Sequence, residues 1–520
     1  MKKIFNYIFI SFAALSMMTA CSDDALETSP TSSAGGEAIF STASNALISL
    51  NGVYRAMYTA GVSNTANTHQ CFGITAYALM ADVMGEDCIM SGAGSGWFWY
   101  DCIYDVKSKY ASEGWRPYEM WNGFYTWIAN INYIIAAADE MEGTTEEKNY
   151  VVGQAYAVRA YSYFMLAQTY ARTYKGHESE PCVPVYTEPT DIKTQGKPRS
   201  TVEKVYEQIT SDINTAVDML KGIKRQHVSH IDEAVALGIK ARVAQVMEDW
   251  PTALDAATSA ITASGCTIQE VEAFTGLNNT EAKNVMWGAE ILKDQSGMYA
   301  SLFSHMDADA GAYGATARKQ VNKELYNSMS TNDTRRAWWN KDDKNNGLGG
   351  YQQEKFKFSN IATWEGDYIF MRVEEMYLIA AEAACRNNDD TNGRKYLKDL
   401  LEKRGFSATN VSYIDALSGT ALGNTTTVGK TRSSLLEEII FNRRVELWGE
   451  FGRIYDIRRL KQGFTRTTDM GWPESALISG TNTQDPESYA WVLTIPQSEF
   501  DGNPSLDQTK DQNPLGDTKE

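Results

Sequence analysis

Trp97, Phe98, Trp99 and Tyr100 follow one another directly behind Ser91-Gly92-Ala93-Gly94-Ser95-Gly96. A displayed aromatic ring offers flat apolar area at low entropic cost, and the C–H face of a sugar ring is a matching surface. Sugar hydroxyls then need fixed amides, carboxylates or guanidiniums. Asn67 and Asp82, in the same early segment, supply such groups. Successive side chains of an extended run point to opposite sides, so Trp97 and Trp99 would share one face. About half of these rings should then be buried and half displayed. The glycine run has no strand before it and no Lys after it, which argues against a phosphate cradle. Further rings stand later in the chain, at Trp287, Tyr299, Tyr313, Trp338, Trp339 and Trp364, and each alone is more readily core than ligand surface.

Catalytic chemistry finds little support. The chain has five His, with no HExxH and no nucleophile-elbow motif. His227 and His230 stand one helical turn apart, but no third ligand is evident, and a solvated turn explains them. Asn388, Asp390, Asn392, Gly393 and Asp399 mimic a calcium loop loosely; the first position lacks a carboxylate and the last lacks Glu. The turn of a helical hairpin explains the same residues. No metal and no cofactor is implied. An acid pair for glycoside hydrolysis is defined in space rather than in sequence, so a surface glycoside hydrolase stays as a lesser alternative. Apart from Cys21, the cysteines are Cys71, Cys88, Cys102, Cys182, Cys266 and Cys385; none forms a CxxC pair, and pairing among the first three is open.

The ends say where such residues would work. Lys2 and Lys3, the apolar run Ile4 to Met18, and small Thr19 and Ala20 before Cys21 read as a lipoprotein signal over 1–20. Acyl chains on Cys21 would anchor the protein, at about 0.8 kcal/mol per buried methylene. Residues 21–36, rich in Ser, Thr, Gly and Asp, read as a flexible tether. Losing Lys2 and Lys3 with the signal takes the net charge from −18 to −20. Such a body repels nucleic acid and anionic headgroups.

Helices must carry the body, 37–520. Trp121 to Met141 is apolar at three- and four-residue spacing. Thr144 with Glu147 forms a capping box before a helix apolar on two faces, which must lie between neighbours. Ser200 with Glu203 suggests another box, leading a helix to Lys221. Residues 231–264 hold two helices around Asp249-Trp250-Pro251, and 371–405 hold another pair, both matching a tetratricopeptide-like (TPR-like) hairpin. The expected fold is mainly α, a TPR-like hairpin stack with a few short β pieces. Long irregular insertions, about 265–367 and 407–430, are the expected working surface.

Several segments resemble the SusD/RagB family of nutrient-binding outer-membrane lipoproteins. They are Gln154 to Phe164 with Pro181-Cys182-Val183-Pro184-Val185, Arg372 to Ala383, Glu437-Glu438-Ile439 with Arg443 to Leu447, Gly452 to Arg459, and Gln512-Asn513-Pro514. Asn442 and Phe451 depart from the usual pattern. The resemblance implies a SusD-like helical fold and capture of oligosaccharides, less often peptides, without cleavage. It implies a partner, a SusC-like TonB-dependent outer-membrane transporter, and a lipid-anchored, surface-exposed place on the outer membrane. It also implies that an aromatic in the early loop, Trp97 or Trp99, joins a glycan-binding arc, with Tyr100 beside it and Tyr299 and Trp338 contributed by the insertions. The charged signature residues Arg159, Arg372, Glu374, Glu382, Arg443, Arg444, Glu446 and Arg453 read instead as ion pairs that hold the helices in register.

Overall fold

The computed structural model describes residues 39–105, 112–191, 193–274, 276–342, 349–427, 429–478 and 481–514. The signal, Cys21 and the tether lie outside the described residues.

The main helices are α1 (Ala43–Ala56), α2 (Ile74–Val83), α3 (Trp115–Ala136), α4 (Thr145–Tyr170), α5 (Val202–Leu220), α6 (Glu233–Met247), α7 (Trp250–Ser264), α8 (Val373–Arg386), α9 (Asp390–Glu402), α10 (Leu435–Glu446) and α11 (Arg453–Arg459). The Thr144/Glu147 capping box is present at α4. At α5 the cap is Thr201 rather than Ser200, because Ser200 is committed to a bridge: its N–H donates to the Val183 carbonyl and its own carbonyl accepts from Cys182. α3 starts at Trp115, earlier than the apolar pattern indicated, since Pro117 sits in its first turn where a missing N–H costs nothing. Asp389 caps α9 by accepting from the Asn392 N–H, so the calcium-like residues form a helix start.

Each long helix from α3 to α9 packs on the next, giving the TPR-like stack. From Tyr150 to Tyr170, α4 is buried on every side except at Tyr156, as its two apolar faces require. A Cβ on Gly153 would come within 2.9 Å of Leu220, so this glycine sets how closely α4 and α5 approach. A second core cluster, with Leu378, Leu397, Leu401 and Leu435, lies between α8, α9 and α10. The expected short β pieces are present. A four-stranded sheet runs in the order β1 (Cys88–Met90), β3 (Lys319–Val321), β5 (Gln352–Gln353), β4 (Trp339–Asn340), and β2 (Val285–Ala289) pairs antiparallel with β6 (Tyr368–Arg372).

The signature charges are buried and paired. Glu446 is met by Arg404 at 2.8 Å, Arg372 at 3.2 Å and Arg335 at 3.3 Å, all fully buried. Arg372 also reaches Glu374 at 3.0 Å and Glu450 at 2.6 Å. Burial alone would raise the Glu446 carboxyl, but the Arg404, Arg372 and Arg335 guanidiniums hold it far below the usual range. A second knot joins Arg444 to Glu86 and Asp87, and Arg453 to Glu86. Arg159 pairs with Asp212, Glu382 with Arg459, and Arg443 with Asp456, each at 2.7 Å. Asn442, one of the departures, accepts from Arg335 at 2.7 Å. These pairs tie α4 to α5 and α8 to α10 and α11, and Arg444 and Arg453 clamp the far end of the chain to the Glu86 turn.

Candidate functional site

The site is built where β1 and β3 meet. Met90 stands opposite Lys319, the Ser91 N–H donates to the Arg318 carbonyl at 3.0 Å, and the Arg318 N–H donates to the Ser91 hydroxyl at 3.0 Å. The glycine loop therefore leaves β1 beside the one-turn helix Tyr313–Thr316 that leads into β3. Gly94 has φ 52°, and a Cβ there would sit 2.9 Å from Ala317; glycine permits both the conformation and the approach.

The four consecutive aromatics do not alternate. Phe98 takes the left-handed conformation at φ 61° and breaks the extended run. Its N–H donates to the Gln70 side chain at 2.8 Å, and its ring is buried 4.8 Å from His305 and 6.1 Å from Phe72. Trp97 is thereby left half-buried at the surface. Trp99 opens the short helix Trp99–Cys102 and is only 8 % exposed. Trp97 and Trp99 thus do not share a face, and Trp99 belongs to the buried core. Tyr100 is exposed beside Gly96, with no ring contact to the cluster described next among the described residues.

Trp97 joins a cluster of four rings. Its centroid lies 5.3 Å from His69 and 6.1 Å from Tyr313. Tyr299 lies 5.6 Å from His69, stacked, and 5.2 Å from Tyr313. The Tyr313 hydroxyl and His69 Nδ1 share a hydrogen bond of 2.5 Å. Tyr299 is 43 % exposed, and the other three are half-buried. Beneath them, His305 stacks on Tyr313 at 5.1 Å and bonds the His69 carbonyl through Nε2 at 2.7 Å. Burial, with Lys319 nearby, presses the His305 imidazole down to about 3, so it stays neutral. Lys319 holds the His305 and Ala317 carbonyls, and burial lowers its ammonium to about 8. Asn67 stands half-buried on the same Thr65–Gln70 turn as His69. The arrangement offers fixed aromatic faces and edges with an amide close by in sequence.

Of the expected residues, the structure brings Trp97 and Tyr299 together, with Asn67 on the adjoining turn. Tyr313 is one of the later aromatics of the chain, and no local pattern marks His69, whose place in the cluster rests on Tyr299 and Tyr313, more than two hundred residues away in sequence. Two further residues are corrected. Trp338 is 3 % exposed, packed against Phe274 and the Lys355 ammonium, over the Glu446 network rather than at the surface.

Asp82 is 3 % exposed, and its Oδ1 accepts from the Arg453 backbone N–H at 2.8 Å. Its Oδ2 has no hydrogen-bond partner among the described residues. Burial pushes Asp82 up to about 8. The folded value exceeds the ordinary one of about 3.9, so this group's contribution to stability is full below about pH 3.9 and is lost as pH rises through about 8. Asp82→Asn keeps the acceptor and removes the titration. Its melting temperature should fall less than that of the wild type between about pH 5 and pH 9; parallel curves would contradict a buried neutral Asp82.

His230, of the spaced His pair, has both ring nitrogens engaged, with the Tyr150 hydroxyl and Asn51. All six cysteines of the described residues are free.

Two family models match the chain. One described as "Starch-binding associating with outer membrane" covers residues 81–244, and one described as "SusD family" covers residues 258–514. No curated protein matches at a significant level. Among solved structures, a SusD-like carbohydrate binding protein from Bacteroides vulgatus is 26% identical, with a TM-score of 0.74 over 90% of this chain and 98% of that one. A SusD superfamily protein from Bacteroides thetaiotaomicron, 23% identical, has a TM-score of 0.71 over 91% and 100%. Surface glycan-binding protein A from the same organism, in complex with laminarihexaose, has the same fold at 17% identity, with a TM-score of 0.64 over 91% and 99%. The two matched stretches span most of the chain, the helical stack is shared along nine-tenths of it, and the chain belongs to the SusD family.

Proposed function

We propose that this protein is a surface-exposed, lipid-anchored glycan-binding component of a nutrient importer. It captures an oligosaccharide without cleaving it and delivers it to a SusC-like TonB-dependent outer-membrane transporter. The observation that carries the reading is the half-exposed ring cluster of Trp97, Tyr299, Tyr313 and His69. Rings fixed by packing and by the Tyr313–His69 bond present stacking area with little entropy left to lose on binding. The family models and the laminarihexaose complex of surface glycan-binding protein A support the ligand class. No helix of the described residues is long and apolar enough to cross a membrane, and the reading gives the membrane contact to acyl chains on Cys21. Titration against a panel of neutral and anionic oligosaccharides and of peptides tests it. Saturable binding of at least one oligosaccharide, with no release of shorter products, is expected. Binding of peptides alone would move the protein to the peptide-capturing alternative, and product release would make it a hydrolase.

A further inference from the structure

A second cleft, of about 550 Å³, opens between one face of α3, the loop that carries Tyr186 and Gln195, and the segment around Glu499. Its volume falls within the range of small-molecule sites. The cleft has a helical stripe of Tyr118, Asn122, Tyr125 and Ala129 as its α3 wall. Two of its rings are tethered: the Tyr125 hydroxyl donates to the Pro184 carbonyl at 2.7 Å, and the Tyr186 hydroxyl accepts from the Lys197 N–H at 3.0 Å. They stand edge to face, 6.1 Å apart. Tyr118 at the mouth is 39 % exposed.

The polar lining of the cleft combines two carboxylates with amides and hydroxyls, among them Asn122, Gln195, Thr126 and Ser498. The Asn122 amide nitrogen donates to the Ser63 carbonyl at 3.0 Å, which leaves its Oδ1 as an acceptor. Glu499 accepts from the Trp121 indole at 3.1 Å and from Asn503 at 2.7 Å, and each carboxylate oxygen keeps further acceptor capacity. Asp191 adds a second carboxylate, and among the described lining residues there is no Lys or Arg; the nearby Lys197 ammonium sits 5.4 Å from the Tyr186 ring, bonded to the Val185 carbonyl. Two carboxylates disfavour a negatively charged ligand, and the amides, hydroxyls and rings suit one that both donates and accepts hydrogen bonds and presents apolar faces. Polyols do this; uronates and sulfated sugars do not. A peptide would need a free strand edge or a long apolar groove, and these walls are a helix face and a loop.

We infer that this cleft is a second subsite, for a neutral oligosaccharide segment, distinct from the ring cluster. The inference rests on the glycan-binding reading above. The two places are close along the chain: Ser63, which holds Asn122, precedes His69 by six residues, at most about 20 Å of backbone. One glycan chain engaging both would bind more tightly than either place alone.

The test uses the full chain with the ring cluster disabled by Trp97→Ala and Tyr299→Ala, titrated with short neutral oligosaccharides built of glucose, mannose or xylose. Saturable binding should persist. Adding Thr126→Trp, which fills the cleft from an exposed position of α3, or Tyr118→Ala should weaken it at least about tenfold. With the ring cluster intact, Thr126→Trp should lower the stoichiometry from about two to about one and leave the remaining affinity unchanged. The inference is overturned if the ring-disabled protein binds no member of the panel, if neither cleft substitution alters its binding, or if peptides or anionic glycans take the cleft instead. Failure of the ring-cluster reading looks different: the ring-disabled protein would then match the wild type in affinity and stoichiometry.

Discussion

Glu446→Ala is expected to destabilise the folded chain by about 3–5 kcal/mol, the usual consequence of removing one partner from a buried ion pair. The carboxylate lies among three fully buried guanidiniums, those of Arg335, Arg372 and Arg404. Its removal leaves those cations with Glu374, Glu450 and Asp333 as their remaining counter-charges. Domains are stable by only about 5–15 kcal/mol, so the loss is a large share of the total. The urea midpoint should drop while the slope of the transition stays the same, because the surface exposed on unfolding is little changed. Acidity should act the same way by degrees. The folded Glu446 carboxyl is held far below its ordinary value of about 4.3, so its contribution is complete above that pH and is lost as pH falls beneath it. A variant as stable as the wild type would show that the network sets register without contributing stability.

Trp97→Ala is expected to weaken oligosaccharide binding about 30-fold, which corresponds to roughly 2 kcal/mol for a central aromatic anchor. Trp97 meets both His69 and Tyr313, so truncation removes one stacking face and loosens the others. Tyr299 meets the same two rings but is the most exposed of the cluster, so it is held less firmly by packing and should show a smaller loss. Tyr313→Phe keeps the ring and deletes the hydroxyl's bonds to His69 Nδ1 and the Trp97 side chain; its effect should stay below about tenfold if the rings themselves carry the affinity. Melting temperatures should be almost unchanged in all three, since none of these side chains belongs to the buried core.

The helical scaffold was legible in the sequence because its signals are local. The Thr144/Glu147 box, Pro251 in the first turn of α7 and the two apolar faces of α4 each act within a few residues. The structural role of the buried signature charges was legible as well, since charges on packed helices must find partners. The site was legible only in part. Alternation predicted a shared face for Trp97 and Trp99, but the left-handed Phe98, whose N–H is held by Gln70, turns the chain between them. Asp82 and Trp338 were polar and aromatic in suggestive places, yet burial beside Arg453 and Lys355 takes them out of reach. Tyr313 and His69 meet through the β1–β3 pairing and the Leu302–Met306 turn, contacts whose register the sequence does not print.

The measurement that tests the central claim most directly is titration of the wild type and of Trp97→Ala, side by side, with the tightest-binding oligosaccharide of the panel. A loss of about 30-fold at unchanged melting temperature is the predicted result. Equal affinity in the two proteins would contradict the claim that this ring cluster is where the glycan is held.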